Sequence, residues 1–570
     1  MHIDIVPNRG SSPAVLLRES YREGGKVKKR TLANLSALSA SQIEAIRHVL
    51  KGDSLVPPDQ LFERVESYHH GHVQAVRLAM RRLGFADLVA SRPSRERDLV
   101  CAMIAAQILE PASKLAFTRW WRNTTIPQEF GVAGAAEDEL YGAMDWLLER
   151  QSTIEKKLAA RHLKEGGLVL YDLSSSYFEG VTCPLAALGH NRDGKKGKLQ
   201  VNYGLLADPR GCPVAVSVFK GNCGDPKTLM PQVEKAKEDF GIQHLVLVGD
   251  RGMITQTQIK QIKKREDHEG IDWITALKSG AIRKLIDGKS IQMGLFDERN
   301  LFEFTNEDFP GERLIACRNQ DLGRLRAHKR RSLLEATERE LEKVRRMVVK
   351  GRLEGRDAIG VRVGKVVNKY KMAKHYKLQI GDKSFEWQRQ EDKIAAEAAL
   401  DGLYVIRTSL KEPQMGTEDA VRSYKRLSVV ERAFRSFKSI DLDIRPIRHR
   451  LEDRVRAHIF LCMLAYYVKW HMNEAWRPLL FCDEDQAAKE HRDPVAPAIR
   501  SEGALGKVHS KQLEDESPAH SFTTLIQRLS AIVRNVCRAA GAKTGATFEI
   551  TTTPDNTQKR ALDLMEAIMV

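Results

Sequence analysis

The chain has 570 residues, and its 92 lysines and arginines exceed its 75 acidic residues, so the formal net charge of +17 suggests an anionic partner, with nucleic acid the leading candidate. Its eight cysteines are scattered without a C-x-x-C pair, so neither a zinc site nor a disulfide framework is indicated. The longest apolar run, Ile459 to Val468, has ten residues and is too short to span a bilayer, so we expect a soluble cytoplasmic protein with no membrane partner.

The first part of the chain predicts a β-hairpin followed by helices. Residues 14–35 read as two strands joined by the turn REGGK, in which glycines allow a tight reversal. From about residue 60 to residue 165 the pattern is helical and rich in basic and aromatic residues, as in KLAFTRWWRN. These features predict an N-terminal hairpin and a mainly α-helical region.

A sheet core begins near residue 166, where the apolar periodicity changes. The runs GGLVLYD, LQVNYGLLAD, CPVAVSVFKG and HLVLVGD are short, rich in β-branched residues and separated by Gly, Pro and Asp, which is typical of strands. A helical segment, PKTLMPQVEKAKEDF, precedes the last of them. Strands mixed with helices predict an α/β core.

A basic segment interrupts this pattern between residues 281 and 400. From Asp321 to Lys377 there are 18 lysines and arginines against seven acidic residues. Paired charges on a solvated helix explain ERELEKVRR, but the stretch KVVNKYKMAKHYK contains no acid. The surplus predicts contact between DNA phosphates and four lysines: Lys365, Lys369, Lys371 and Lys374.

After the strand-like run DGLYVIRT, the stretch YKRLSVVERAFRSFK at residues 424–438 predicts one amphipathic helix. Its expected core face consists of four apolar residues: Leu427, Val430, Phe434 and Phe437. Three further residues at seven-residue spacing would lie nearly in line along the edge of that face: Tyr424, Glu431 and Lys438. A plainer alternative is that Glu431 is a surface acid paired with Arg435 at i+4. A second apolar helix is expected at 454–472.

Two strand-like runs end in aspartate. LVLYD ends at Asp172 and LVLVGD ends at Asp250, and ligands usually bind at the carboxyl edge of an α/β sheet. Taken singly, each could be a turn or cap residue, because Asp is common where strands stop. Asp225 in GNCGDPKTL fits that plainer interpretation, as an N-cap followed by Pro226 at the first helical position.

Two aspartates and a glutamate, if brought together, have a specific chemistry. Their hard oxygen ligands suit Mg²⁺ or Mn²⁺. Two such ions about 3.5–4 Å apart can activate a water or a 3′-hydroxyl and stabilise the leaving oxygen in a displacement at phosphorus. Arg435 and Lys438, one or two turns from Glu431, could grip the non-reacting phosphates.

These segments resemble the DDE transposases of bacterial insertion sequences, in the branch with a Tyr-Arg-Glu-Lys signature in its last catalytic helix. Tyr424, Glu431 and Lys438 match that signature in residue type and spacing, whereas Leu427 occupies the Arg position. YDLSSSYF resembles the segment of the first catalytic Asp, and VGDRGM resembles that of the second. LGHNRDGKKGKLQVNYGLL and FKGNCGD are similar to the stretches that follow the first Asp.

The resemblance implies an RNase H-like core with a mixed sheet of five strands and flanking helices. Its metal ligands and catalytic residues would be Asp172, Asp250 and Glu431, and 181 residues separate the last two, which implies an insertion domain between them. The expected domains are a hairpin segment at 1–55, a helical DNA-end-binding domain at 56–165, the first core part at 166–280, a basic insertion domain at 281–400, the second core part at 401–475, and a C-terminal linker and small element at 476–570.

The function implied by the resemblance is cut-and-paste transposition of an insertion sequence. The enzyme would use two Mg²⁺ or Mn²⁺ ions to cleave double-stranded DNA at terminal inverted repeats and join the ends to target DNA. It would act as a homodimer in a paired-end complex, with Tyr424, Arg435 and Lys438 near the DNA strand. Two alternatives stay open: another RNase H-like endonuclease, and a transposase-derived DNA-binding protein that no longer cuts, an alternative suggested by Leu427.

Overall fold

The computed structural model describes residues 1–53, 61–264, 270–296, 300–488, 492–540 and 546–569, which contain both strands and runs of helices. The strands are β1 His2–Asn8, β2 Ser11–Glu23, β3 Lys26–Asn34, β4 Phe62–His69, β5 Leu168–Tyr177, β6 Gln200–Ala207, β7 Pro213–Lys220, β8 Leu245–Val248, β9 Ile271–Ala276, β10 Leu301–Phe304, β11 Arg313–Arg318, β12 Tyr376–Ile380, β13 Phe385–Arg389, β14 Leu403–Thr408, β15 Val533–Ala539 and β16 Thr547–Thr551. The helices are α1 Ala40–Leu50, α2 Gly71–Arg82, α3 Phe85–Val89, α4 Arg95–Leu109, α5 Lys114–Trp120, α6 Ile126–Glu129, α7 Glu137–Glu149, α8 Gln151–His162, α9 Leu229–Glu234, α10 Gln256–Lys264, α11 Ser279–Asp287, α12 Gln320–Val349, α13 Arg356–Tyr370, α14 Glu391–Ala398, α15 Thr417–Lys425, α16 Leu427–Arg435, α17 Glu452–Ala475, α18 Glu502–Ser510, α19 Phe522–Ser530 and α20 Asn556–Glu566. Short 3₁₀ or π-helical turns occupy Trp121–Asn123, Asp225–Thr228, Lys235–Asp239, Met293–Phe296, Ala373–His375, Ser436–Ile440 and Arg477–Leu479.

The smaller of two compact units contains residues 1–68 and 533–553. β1, β2 and β3 form an antiparallel sheet, in which β2 and β3 are the two strands of the hairpin expected at 14–35. A second sheet joins β4, β15 and β16, so the chain contributes to this unit from both of its ends. The expected domain boundary between residues 55 and 56 lies in segment 54–60, outside the described residues.

The larger unit contains residues 69–532 and 554–570, and its centre is an eight-stranded mixed sheet. The strand order is β10-β11-β14-β9-β8-β5-β6-β7. β5 pairs with β8 in parallel and β8 pairs with β9 in parallel, whereas the other neighbours are antiparallel. The α/β core predicted from the alternating strand and helix patterns is therefore confirmed.

Both faces of this sheet are covered, which is why its strands read as nearly continuous apolar runs. Every residue of β6 is buried. On one face, Leu170 and Val248 share a core with α16 and α17, and on the other, Val169 and Leu247 pack with α9 and α10. The helix α17, which was expected as an apolar helix, is buried on all sides along most of its 24 residues.

The helices α2 to α8 lie in the larger unit, where α4 and α7 pack against α17. Residues of these helices and of the sheet belong to one buried cluster. In the described part of the chain no single helix is long and apolar enough to span a membrane, and one pair, Arg95–Leu109 with Lys114–Asn123, reaches that length and composition only jointly, with a bend of 85°.

The segment expected as an insertion, 281–400, has two parts in the structure. β10 and β11 lie within it and extend the large sheet beyond β14. The remainder, α12, α13, the β12–β13 hairpin and α14, lies between β11 and β14 in the chain. Leu341, Val344, Val363 and other residues of this part form a separate hydrophobic cluster, so it has a core of its own.

The prediction of one continuous helix over 424–438 is wrong. α15 ends at Lys425, α16 runs from Leu427 to Arg435, and a π-helical turn follows at Ser436–Ile440. Arg426 keeps helical dihedral angles, but the amide N–H of Val429 bonds to the carbonyl of Arg426 only three residues back. This local tightening and the later π-helical widening change the residues per turn, so Tyr424, Glu431 and Lys438 lie in three different segments.

Candidate active site

Asp172 lies on β5, and Asp250 follows the neighbouring parallel strand β8. The prediction that a strand ends at Asp172 is wrong, because β5 continues to Tyr177 and Asp172 pairs with Leu205 of β6 within the sheet. Leu170 pairs with Val248 across the parallel strands β5 and β8, and each aspartate lies two residues beyond its partner in that pair. Within β5, side chains two residues apart point to the same face, so Asp172 lies on the face of Leu170, which is shared with α16. Asp250 lies beyond the end of β8, close enough to Asp172 for its carboxylate to raise the pKa of that acid. Both carboxylates are half-buried.

Glu431 reaches the same cavity from α16, which packs against β5. The predicted core face is confirmed: the side chains that hold the helix on the sheet are all buried, namely Leu427, Val430, Phe434 and Phe437. Glu431 itself is exposed, and neither it nor Arg435 has an ion-pair partner among the described residues, so the alternative of a Glu431–Arg435 surface pair is not found. The buried face of α16 therefore determines where the carboxylate of Glu431 lies.

All three acids line one cavity of about 510 Å³. Its other charged lining residues are two further acids and four cations: Asp193, Asp225, Arg192, Arg435, Lys438 and Arg445. Acidic and basic side chains therefore share a single polar cleft. Such a cleft can hold both cations and the phosphates that they would act on.

Asp172 has the most perturbed electrostatics among the three acids. Its pKa is raised to about 7, first by burial and then by the nearby carboxylates of Asp250 and Glu431, whereas the amide N–H of Leu173 and the guanidinium of Arg192 act in the opposite direction. The same acids affect Tyr424, whose pKa rises to about 12, first through burial and then through Asp250, Glu431 and Asp172. Tyr424 is half-buried against the core and near the acids, without lining the cavity itself.

Asp193 anchors two of the cavity's cations. Its side chain is only 2% exposed, and one of its oxygens lies 2.9 Å from Nζ of Lys438 and 2.6 Å from Nη1 of Arg445. The other oxygen accepts a hydrogen bond of 2.9 Å from the amide N–H of Tyr177. Lys438, which the sequence predicts as a phosphate ligand, therefore lies at the cavity together with Arg445, and both cations bind the carboxylate of Asp193.

The expectation that Asp225 is an N-cap is wrong. The cap residue is Gly224, and Asp225 is the first residue of the 3₁₀ turn Asp225–Thr228. Its carboxylate accepts a hydrogen bond of 2.6 Å from Nη2 of Arg192, and it lines the cavity. A residue that appeared structural in the sequence is thus part of the candidate site.

The remaining predicted DNA ligands have different positions. Arg435 is exposed and lines the cavity. Lys365 and Lys369 are exposed on α13, and Lys371 follows that helix. Lys374 is also exposed, but its ammonium lies 2.6 Å from the carboxylate of Glu397. None of these four lysines lines the cavity of the three acids.

The donor set fits divalent cations of the Mg²⁺ or Mn²⁺ type. Asp172, Asp250 and Glu431 offer carboxylate oxygens in one cavity, and the raised pKa of Asp172 reflects burial next to like charges that a cation would neutralise. Among the described residues, however, the one set of three metal-ligating side chains with ligand atoms within 4.8 Å of each other is His162, Cys212 and His471. The acids therefore share a cavity without being gathered that closely.

The His162–Cys212–His471 group lies outside the acidic cavity. Sγ of Cys212 lies 3.8 Å from Nε2 of His471, while Nδ1 of His162 is 3.4 Å from a guanidinium nitrogen of Arg210. A cation between these ligands would face the positive charge of Arg210. The group is best described as a buried polar cluster.

Sequence reasoning missed four charged residues of the cavity: Arg192, Asp193, Asp225 and Arg445. A signal was present for the first two, because they stand together in the loop HNRDGKKG, in a stretch that already resembled transposases. Their partners are far along the chain: Arg192 binds a residue 33 positions away, and Asp193 binds one 245 positions away. Separations of that size cannot be derived from local spacing.

Two family models match the chain. The model described as "Transposase DDE domain" covers residues 180–468, which is slightly more than half of the chain, and the model described as "IS1634 family transposase, N-terminal domain" covers residues 3–56. Asp250 and Glu431 lie within the longer match, and Asp172 lies just before it. The chain belongs to the family of transposases with a DDE domain, and it is a transposase of the insertion-sequence type.

Two solved structures show distant similarity. A piggyBac transposase synaptic complex with hairpin DNA has 9% sequence identity and a TM-score of 0.32, covering 81% of this chain and 76% of that one. A Mos1 transposase paired-end complex with the left transposon end has 9% identity and a TM-score of 0.14, covering 34% of this chain and 62% of that one. Similarity at this level says nothing about the activity of this chain. No curated protein matches the chain as a relative.

Proposed function

We propose that this transposase moves its insertion sequence by a cut-and-paste route. It cleaves double-stranded DNA at terminal inverted repeats by metal-dependent hydrolysis and joins the freed 3′-hydroxyls to target DNA in the bacterial cytoplasm. The observation that carries the proposal is that Asp172, Asp250 and Glu431, from three separate elements, line one cavity in a chain of the DDE family.

The proposed core is RNase H-like. Support comes from the five strands β5 to β9, which lie in the order β7-β6-β5-β8-β9 with parallel pairing on both sides of β8. Asp172 lies on the first of these strands, and Asp250 lies two residues after the end of the fourth. Glu431 comes from a late helix, and the segment with its own core, α12 to α14, lies before that helix as the inserted part.

In this proposal the three acids are the catalytic residues and hold two Mg²⁺ or Mn²⁺ ions. When bound, such ions supply an activated water or 3′-hydroxyl and stabilise the leaving oxygen. The chain's own cations bind the phosphates: Arg435 has an exposed guanidinium at the cavity, and Lys438 presents its ammonium beside it. Burial lowers the pKa of Lys438, while Asp193 acts against that change and favours the charged form.

The proposed partners are the element's inverted repeats, target DNA and a second copy of the chain in a paired-end complex. The net charge of +17 and the exposed lysines of α13 support binding to a polyanion. We assign end recognition to the helices within residues 56–165 and non-specific phosphate contact to the basic insertion. These roles follow the domain scheme expected from the sequence.

The direct test uses a DNA duplex carrying the inverted repeats that flank the gene. With Mg²⁺ or Mn²⁺ the protein should nick the ends and transfer them, and excess EDTA should stop both reactions. Asp172→Asn, Asp250→Asn and Glu431→Gln should each lower cleavage by about 10³-fold or more while end binding persists. Combining two of them should add little, because residues that act as one unit are not additive.

A matched control is Glu412→Gln, which neutralises an exposed acid outside the cavity and should cleave like the wild type. Equal activity of Glu431→Gln and the wild type would mean that Glu431 is not in the active site. A wild-type protein that binds the ends tightly but never cuts would support the alternative of a transposase-derived DNA-binding protein. The replacement of the signature Arg by buried Leu427 is the observation that favours this alternative.

A further inference from the structure

One of the basic residues that line the cavity has a hydrogen-bond donor without an acceptor in the described part of the chain. Nη1 of Arg192 is buried and has no hydrogen-bond partner among the described residues, although Nη2 of the same guanidinium binds Asp225 at 2.6 Å. A buried donor without an acceptor costs roughly 1–3 kcal/mol, and more when the group is charged. Arg192 also lines the cavity, so a ligand there could supply the missing acceptor.

Two more cations of the cavity, Lys438 and Arg445, have N–H donors that their common partner does not use. Lys438 and Arg445 both lie against the same oxygen of Asp193, at 2.9 Å and 2.6 Å, so their two nitrogens are close neighbours. One carboxylate cannot neutralise two cations, and this pair therefore retains a net positive charge. An ammonium carries three N–H donors and a guanidinium five, so most of their donors are not used by Asp193.

The anchoring carboxylate is built into the fold. The side chain of Asp193 is 2% exposed, and the amide N–H of Tyr177 at the end of β5 fixes its second oxygen. Arg192 and Asp193 are adjacent in the loop between β5 and β6. This one loop therefore carries Arg192, which binds Asp225, and Asp193, which binds Lys438 and Arg445. Preorganised cations of this kind lose little entropy when an anion binds.

We infer that Arg192, Lys438 and Arg445 form one binding subsite for a single phosphodiester group of the DNA strand, with Asp193 and Asp225 as positioning residues. The inference rests on the proposed function and deepens it, because Arg192 and Arg445 lie outside the signature helix. Their planar, forked donors match the oxygens of a phosphate, and the acids of the same cavity explain why the bound phosphate is at or next to the cleaved bond.

The test is a double-mutant cycle between the protein and the DNA backbone. Duplexes carrying the element's end receive one uncharged methylphosphonate at a time around the cleavage site, and binding is measured with Ca²⁺ so that turnover is not needed. At one backbone position the substitution should weaken wild-type binding about tenfold. In Arg192→Gln and in Arg445→Gln the same substitution should cost clearly less, about threefold, because the phosphate charge that it removes has already lost one of its three cations.

Arg448→Gln is the matched control, since Arg448 is exposed, lies three residues after Arg445 and does not line the cavity. In this variant the tenfold effect at that backbone position should persist. Asp193→Asn should reduce the effect partially, and a conservative Asp193→Glu should restore part of it, as a positioning role requires.

A methylphosphonate effect of equal size in the wild type, Arg192→Gln and Arg445→Gln would overturn the subsite, and so would the absence of any sensitive position. The outcome for the proposed function is separate. If the wild type cleaves and transfers the ends while the cycle shows no interaction, the subsite is wrong and the function stands. If the cycle shows the interaction while no cleavage occurs with Mg²⁺ or Mn²⁺, the subsite stands and the proposed activity is wrong.

Discussion

At the scale of single residues, the charges of the cavity are held by partners from distant parts of the chain: Arg192 binds Asp225, and Asp193 binds Lys438 and Arg445. The sequence indicates the three acids but not these pairings. Asp172 and Asp250 each end a run of apolar strand residues, and Glu431 borders an apolar helix face, so each has a local pattern. Asp193 and Arg445 have no such pattern, because their roles depend on a contact across the fold. Asp225 shows how a local pattern can mislead, since a Pro at the next position resembles a helix cap.

The revised role of Asp225 leads to a prediction. Asp225→Ala removes the partner of Arg192 Nη2 and frees the guanidinium to move within the cavity. We expect cleavage to fall about tenfold, which is the scale of one charge-assisted hydrogen bond. The stability of the fold should change by less than about 1 kcal/mol, because the pair is partly exposed.

Cleavage rates and urea unfolding of Asp225→Ala and the wild type measure the two effects. Full activity together with a loss of stability would contradict this prediction and show that Asp225 has the structural role that the sequence suggested. Glu238→Ala, which removes an exposed acid outside the cavity, serves as the matched control and should change neither quantity.

A second residue-scale prediction concerns Lys114, which is 2% exposed. Its ammonium has no hydrogen-bond partner among the described residues and lies 4.8 Å from the centre of the Phe117 ring. Burial lowers its pKa to about 8. An unfolded lysine titrates near about 10.4, so between these two pH values the unfolded state binds more protons and stability rises with pH.

Replacing Lys114 by Met, a side chain of similar length, removes the buried charge. We expect Lys114→Met to be more stable by about 1–3 kcal/mol at pH 7 and to lose the rise in stability between about pH 8 and pH 10. Urea unfolding at the two pH values measures both. A variant that is less stable than the wild type at pH 7 would show that Lys114 has a favourable partner.

At the scale of elements, the sequence predicts which strands exist better than how they are arranged. The apolar runs of β5, β6, β7 and β8 were recognisable because both faces of the sheet are covered. The pairing of β11 with β14 was not, because these two strands are separated in the chain by the whole of α12 to α14. The break after α15 was missed as well, since no Gly or Pro marks it.

The basic insertion carries the element-scale prediction. Lys365, Lys369 and Lys371 are exposed, so replacing all three by Gln should reduce the slope of log binding constant against log salt by about 0.9 for each lost phosphate contact. Lys374→Gln should have a smaller effect, because Glu397 already neutralises that ammonium. Binding to duplex DNA at several salt concentrations measures the slope.

Lys559→Gln, which removes one exposed charge from α20, is the control for a general effect of net charge and should leave the slope nearly unchanged. A triple variant with the wild-type slope would mean that α13 does not contact DNA. The surplus of lysines and arginines in this segment would then only keep an exposed helix solvated by water.

At the scale of the whole molecule, all the residues of the cavity belong to the larger unit. Three parts of the chain that are far apart in sequence, β5, the segment after β8 and α16, bring the acids to one cavity. The central claim is that these three acids hold the same metal ions. The sequence predicts that these acids come together only through the order of its motifs, because no local pattern shows contacts between distant parts of the chain.

Iron-directed cleavage of the protein backbone tests that claim most directly. Fe²⁺ that replaces Mg²⁺ generates hydroxyl radicals with peroxide and ascorbate, and these cut the chain next to the metal's ligands. We predict cuts at three separate places, near residues 172, 250 and 431, which excess Mg²⁺ suppresses and Asp172→Asn eliminates. Cuts confined to the surroundings of His162, Cys212 and His471, or cuts near only one of the three acids, would contradict a shared metal site.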